Sequence, residues 1–215
     1  MTNRPVFDAT PARRAALSSD RILQEALQMI DLDGLEAFSY RALAARLGCQ
    51  AMSLYHYFPS KAHLLEALTG VLLAEAMDYP PNGPWPDRLR AAAGAYRQMA
   101  LRHPGMFLHF SRFRMTTREG LAFLEGHLAI LENAGLAPQP RARHFQMLRH
   151  YLLGACLDAI DKGIAATDPL PFNEARRISP GLMAVGPHLV ADRQNEHFEA
   201  GITELIEAIT SDLTR

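Results

Sequence analysis

Helix starts and stops crowd residues 19–66 so closely that the helices between them must be short, and this constrains the fold more than any other feature. Ser19 and the acidic Asp20 mark a first helix over "SSDRILQEALQMIDLDG". Ile22, Ala26, Leu27 and Ile30 recur there at helical spacing, and Gly34 is the stop. Ser39 caps a second helix, "SYRALAARLG", which Gly48 ends. "AMSLYHYF" reads as a third, and Ser60 caps a fourth that carries Leu64, Leu65, Leu68, Val71 and Leu72.

The rest of the chain keeps the same period. "YPPNGPWPD" (79–87) holds four prolines, breaks the helix and reads as the boundary region between two unequal domains. Helical stretches follow near 87–103, 105–113, 117–134 and 139–164. Residues 167–187 are rich in Pro and Gly and read as irregular, with at most a helical turn. A last helix, 192–213, carries a narrow apolar stripe. No run of alternating β-branched residues argues for a strand. The expected fold is all-α: a flexible N-terminal arm at 1–18, a unit of short helices at 19–66, and a larger helical bundle at 67–215.

Charge is unevenly placed. The net charge is −1, yet from Ala37 to Leu65 there are Arg41, Arg46 and Lys61 and no acidic residue. A mildly basic patch therefore sits on an otherwise acidic chain. Cys49 and Cys156 lie far apart and read as reduced thiols of a cytoplasmic protein. No apolar run approaches the roughly 18 residues of a membrane span, and the N-terminus lacks a signal-peptide core. The histidine pairs His103/His109 and His144/His150 are six apart and do not stack on one helix face, and His197 with Glu199 is no better, so no metal is expected. Asp158 and Asp161 read as a solvated edge or salt-bridge partners, and no catalytic set or glycine-rich phosphate loop is found. Neither enzyme nor cofactor is expected.

Three short helices, the last two joined by the tight "LGCQ", match a helix-turn-helix unit. Leu43, Ala44 and Leu47 form the apolar face of the second helix, and Leu54 and Phe58 bury the inner side of the third. The slim leading end of that third helix suits a major groove about 12 Å wide. In "ILQEALQMIDLDGLEAFSYRALAARLGCQAMSLYHYFPSKAHLLEAL" these residues, with Ile22, Ala26, Gly34, Ser39, Arg41, Gly48, Tyr55, Lys61 and Leu65, resemble the DNA-binding domain of the tetracycline-repressor (TetR) family. "LYHYFPSK" is its most specific portion, while Cys49 and Gln50 depart from the more usual valine and serine. The resemblance implies that Ser39, Tyr40 and Arg41 meet a phosphate, with Arg41 able to reach a base edge. Gln50, Ala51, Met52 and Ser53 would face the bases, Gln50 being also able to cap the helix. Tyr55, His56, Tyr57 and Lys61 would hold phosphates. Tyr55 and Tyr57 have packing against the first or fourth helix as their alternative, and Arg4, Arg13 and Arg14 form either a DNA-tracking arm or a solvated tail.

The family resemblance further implies that the second domain binds a small effector and makes a homodimer. The helix at 139–164 and the last helix offer Leu152, Ala155, Cys156, Phe198, Ile202, Leu205, Ile206 and Ile209 for a four-helix interface, with the core of one monomer as the alternative. For a largely apolar effector the candidates are Met99, Phe107, Phe110, Met115, Phe123, His127, Phe145, Met147 and Tyr151, most of which could equally be core. The function expected is a ligand-responsive repressor that binds a palindromic double-stranded DNA operator as a homodimer, with no membrane partner. The rival readings are an effector-binding or scaffold protein that no longer binds DNA, and a helical enzyme using the C-terminal cavity.

Overall fold

The computed structural model describes residues 16–113, 115–160, 172–188 and 194–214. All regular structure among them is helical. The chain divides into two compact units between Leu65 and Glu66.

The first unit holds α1 (Ser19–Asp33), α2 (Tyr40–Leu47), α3 (Ala51–Tyr57) and the first turn of α4 (Lys61–Ala76). The cap of α1 is Ser18 rather than Ser19: its side chain accepts from Arg21 N at 3.2 Å. Ser39 caps α2 by accepting from Ala42 N, and Ser60 Oγ accepts from His63 N at the start of α4. Gly48 closes α2 at φ 66°, a left-handed conformation that a Cβ would strain, and this lets α3 turn back under α2. Ile22, Ala26 and Ile30 of α1, Leu43 and Leu47 of α2, Leu54 of α3, and Phe58 are then buried together. Each such aliphatic contributes about 1.5–3 kcal/mol relative to leaving it exposed.

The second unit holds the rest of α4 with α5 (Trp85–Arg102), α6 (Pro104–Arg112), α7 (Arg118–Asn133), α8 (Pro138–Ile160), α9 (Phe172–Ile178), α10 (Pro180–Val185), a 3-10 turn (Gly186–His188) and α11 (Gln194–Leu213). Prolines open α6, α8 and α10 and sit in the first turn of α5, where a missing N–H costs nothing. Of the stretch 79–87, residues 79–84 thus lie between α4 and α5 inside this unit and 85–87 form the first turn of α5. α5 is central and packs against α6, α7, α8 and α11 through the buried Leu89, Ala92, Ala93, Tyr96 and Met99.

Residues 172–188 are more ordered than their composition suggests, because Pro180 starts a helix instead of ending one. Residues 1–15 of the expected arm (1–18), 161–164 of the long helix, 167–171 of the Pro- and Gly-rich stretch and 192–193 of the last helix lie outside the described residues. No helix among the described residues is long and apolar enough to cross a membrane.

Candidate nucleic-acid face and effector cavity

The exposed surface of α3 follows from what its inner side buries. With Leu54 and Phe58 held beneath, Gln50, Met52, Tyr55, His56 and Tyr57 are turned outward, and Met52 is 68% exposed. Ala51 and Ser53 are half-buried. Gln50 occupies the cap position of α3 without a side-chain cap bond, so its amide is left for another partner.

Five of the expected DNA contacts have structural duties as well, Ser39 among them as the cap of α2. Tyr40 is 8% exposed, and its hydroxyl donates to Phe58 O and Ser60 O, both at 2.9 Å. Its ring stacks on Tyr55 with centroids 4.7 Å apart and planes 13° apart. Burial first, and the neighbouring Tyr55 phenol second, push the Tyr40 pKa up, so the hydroxyl stays a donor. Tyr40 is therefore a pin for the turn between α3 and α4, its hydroxyl being engaged inside the fold. Tyr57 donates to Leu17 O at 2.8 Å while remaining 40% exposed. Lys61 Nζ donates to Leu35 O and Phe38 O and lies 5.5 Å from the Phe38 ring centroid.

Arg46 pairs with Glu25 and Gln28 of α1, whereas Arg41 is exposed and makes no ion pair among the described residues. Of the basic residues in the acid-free stretch, Arg41 is thus the one whose charge is not already engaged.

The second unit contains a partly open cavity of about 100 Å³. A single water needs about 10–15 Å³ of such space, so the cavity exceeds a hydration site. Of the expected effector residues, Phe110, Met115, Phe123, His127 and Phe145 lie in its wall. The remaining four do not. Met99 and Phe107 are fully buried, Phe107 stacking on Phe110 with centroids 5.9 Å apart. Met147 is 42% exposed, on a different face of α8 from the wall. Tyr151 donates to Phe198 O and His197 O and staples α8 to α11.

Sequence reasoning missed Tyr96, Leu148 and Arg149 in the wall, and placed Leu152 at a dimer interface when it also lines the cavity. The signal was available on α8, where 145, 148, 149, 152 and 153 follow one helical face from Phe145.

His127 is the polar residue of the wall with the most distinctive surroundings. It is 3% exposed, its Nδ1 donates to Phe123 O at 2.9 Å, and its Nε2 has no hydrogen-bond partner among the described residues. Burial pushes its pKa down, against a smaller upward effect of the Phe123 bond. Tyr96 packs edge-on against Phe107, and burial drives its phenol well above the ordinary range.

The expected interface residues fall into two groups. Leu152, Cys156, Phe198, Ile202 and Ile209 are at most 4% exposed within one chain, which removes them from the surface a partner could touch. Ala155, Leu205 and Ile206 are half-buried and keep surface to offer. Among the described residues no group of three His, Cys, Asp or Glu is placed to hold a metal ion.

Comparison with known proteins agrees with this layout. Residues 22–68 match the profile of bacterial regulatory proteins of the tetR family, and residues 79–212 match the tetracyclin repressor-like C-terminal domain. The tetracycline repressor protein class D of Escherichia coli is 26% identical over 204 residues, covering 93% of this chain and 92% of that protein. The repressor DrrR1 of Streptomyces coeruleorubidus is 28% identical over 149 residues, which span 66% of this chain and 53% of DrrR1. A crystal structure of a possible TetR family regulator from Streptomyces coelicolor A3(2) superposes with a TM-score of 0.74 at 26% identity, covering 90% of this chain and 99% of that one. The chain belongs to the TetR family of bacterial transcriptional regulators, which bind DNA and are not enzymes.

Proposed function

We propose that this chain is a repressor that binds a palindromic operator as a homodimer, in the cytoplasm, and leaves it when a small, largely apolar molecule enters the cavity of the second unit. The observation that carries the DNA-binding reading is the outward face of α3. Gln50 there is uncapped, Met52 is exposed and the surrounding stretch is free of acid. Gln50 can pair with an adenine edge and Met52 can cover a thymine methyl, while Arg41, His56 and the exposed edges of Tyr55 and Tyr57 approach phosphates. Lys61 keeps its charge near the backbone while holding the α1–α2 loop. Ser39 and the half-buried Ala51 and Ser53 complete the approach surface.

Dimerisation is part of the same reading, because one short recognition helix reads too little sequence and a two-fold pair reads two half-sites. The surface for it is the outward side of α8, with exposed Met147 and Gly154, together with half-buried Ala155, Leu205 and Ile206. The names of the relatives support a ring-bearing effector, since several are tetracycline repressors. Within the second unit, Phe110 of the cavity wall belongs to α6, and His103 at the start of α6 meets Glu75 of α4 at 3.1 Å. Movement of α6 around a ligand would reach α4 by that contact. A few kcal/mol of differential affinity between the two states is enough to empty an operator.

Selection of binding sites from random DNA, followed by titration at several salt concentrations, tests the reading. A dimer touching about eight phosphates should give a slope of log K against log salt near −7. A slope near zero on every duplex removes the DNA-binding role. Recovered sites without two-fold symmetry remove the dimeric one.

A further inference from the structure

The cavity reading can be taken to the chemistry of the ligand, and the inference rests on that reading. Ser111, Phe145 and Arg149 of the cavity wall also line an outer groove, where Arg112, Thr116 and Gln146 join them. The cavity thus opens outward past the end of α6 and one face of α8. Among the described residues neither lining contains an Asp or Glu, and the groove contains two arginines. Arg112 is exposed and makes no ion pair among the described residues.

Arg149 belongs to both linings, and its head is held in place. Its Nε donates to Gln146 Oε1 at 3.0 Å, three residues back on α8. That bond leaves the fork of Nη1 and Nη2, which has no partner among the described residues. Such a planar fork matches the two oxygens of a carboxylate. The charge also reaches the interior: burial first, then the Cys156 thiol, push the Tyr96 phenol up, and Arg149 pulls it down. Arg149 stands about 200° around α8 from the exposed Met147, on the opposite side from the proposed dimer face.

The other polar groups of the cavity wall supply no charge to offset it. Ser111 donates its hydroxyl to Leu108 O at 2.9 Å, and Tyr96 and His127 are buried. The remaining wall is apolar or aromatic, including Phe110, Phe123 and Phe145, which suits a flat ring system.

We propose that the effector is an aromatic carboxylate, with its ring in the cavity and its carboxylate on the Arg149 guanidinium at the mouth. Arg112 adds to the attraction without being needed for contact. An arginine that merely covered the apolar wall with its stem would give a ligand no preference for charge.

The test uses the full chain and two probes of one shape, 2-naphthoate and 2-naphthamide, titrated by calorimetry at pH 7, where only the first is charged. In low salt 2-naphthoate should bind about fivefold or more tightly than 2-naphthamide. That ratio should shrink in high salt, because the mouth is open to solvent. In Arg149→Gln it should fall to within about twofold of unity. The affinity for 2-naphthamide should change little there, which also shows that the variant is folded. If Arg149→Gln does not fold, the wild-type ratio and its salt dependence decide the matter.

Equal binding of the two probes, a ratio indifferent to salt, or a preference that survives in Arg149→Gln overturns the assignment and leaves the cavity reading standing. Failure of both probes to bind up to their solubility rejects the cavity reading, and this inference with it.

Discussion

Replacing Tyr40 by Phe separates a structural duty from a DNA contact by a single oxygen atom. In the wild type that oxygen donates to Phe58 O and Ser60 O, both at 2.9 Å, across the turn from α3 into α4. Ser60 O keeps a second donor in Leu64 N at 3.1 Å, but Phe58 O would be left without a protein partner among the described residues. A neutral hydrogen bond contributes about 1 kcal/mol net, and an orphaned, mostly buried carbonyl raises the loss to about 1–2 kcal/mol. The ring and its stack on Tyr55 are retained, so no cavity cost is added.

Because about 1.4 kcal/mol is a factor of ten, opening of this turn should become roughly tenfold more frequent. Amide exchange at Leu64, read by mass spectrometry or NMR, should accelerate by that factor if exchange follows the opening equilibrium. Operator affinity at fixed salt should change by less than about threefold, since no charge is removed.

The pH dependence has a definite sign. The Tyr40 pKa is raised on folding, so its stabilisation is fully present below the ordinary value of 10.0 and is lost as pH climbs through the raised one. The difference between wild type and Tyr40→Phe should shrink only in strongly alkaline solution. Unchanged exchange at Leu64 together with a tenfold loss of DNA affinity would refute the pin and return Tyr40 to the phosphate backbone.

Arg41→Ala should weaken binding to all sequences and make the salt slope of a dimer about 2 units shallower, whereas Gln50→Ala should alter base preference and leave the slope alone. A Cβ at Gly201 would collide with the Tyr151 hydroxyl and the ring carbons beside it, so Gly201→Ala should cost about 1–3 kcal/mol in urea denaturation. Much less should be lost when it is added to Tyr151→Ala, which removes the ring as well as the hydroxyl, and simple additivity of the two would contradict the clash. Cys156 is fully buried, with its thiol pushed up to about 12, while Cys49 is half-buried. A thiol reagent at pH 8 should therefore label Cys49 quickly and Cys156 only after unfolding. The His144 hydrogen bond, and Arg143 beside it, hold the Asp212 carboxyl below its usual range. That stability is present above pH 3.8 and lost as pH falls through the depressed value, so Asp212→Asn should flatten the acid limb of the stability curve.

The helical layout was legible because its signals are local. Ser39, Gly48 and the prolines that open α6 and α8 act on backbone groups within one turn of themselves. The cap of α1 was misplaced by one residue because Ser18 and Ser19 are adjacent and chemically alike, and only backbone geometry separates them. The cavity was half legible: Phe110, Phe123 and Phe145 could be named as apolar, but whether an apolar side chain lines a void or fills the core depends on its neighbours. Met99 and Phe107 went to the core, and Met147 went to the surface.

The sequence by itself determined an all-helical chain, the three short helices at its head, and the family that "LYHYFPSK" marks. Those rest on caps, glycine stops and a 3.6-residue period, interactions that span at most a few residues. Only the tertiary structure decided which polar groups remain available. Tyr40 finds its carbonyls 18 and 20 residues on, and Tyr57 finds Leu17 40 residues back. Arg46 is taken by Glu25, 21 residues away, while Arg41 is left without an ion pair among the described residues. His127 gives its single hydrogen to its own helix, and its other nitrogen has no hydrogen-bond partner among the described residues. A side chain's partner is set by whatever the fold carries past it, and that distance lies beyond the reach of any periodicity.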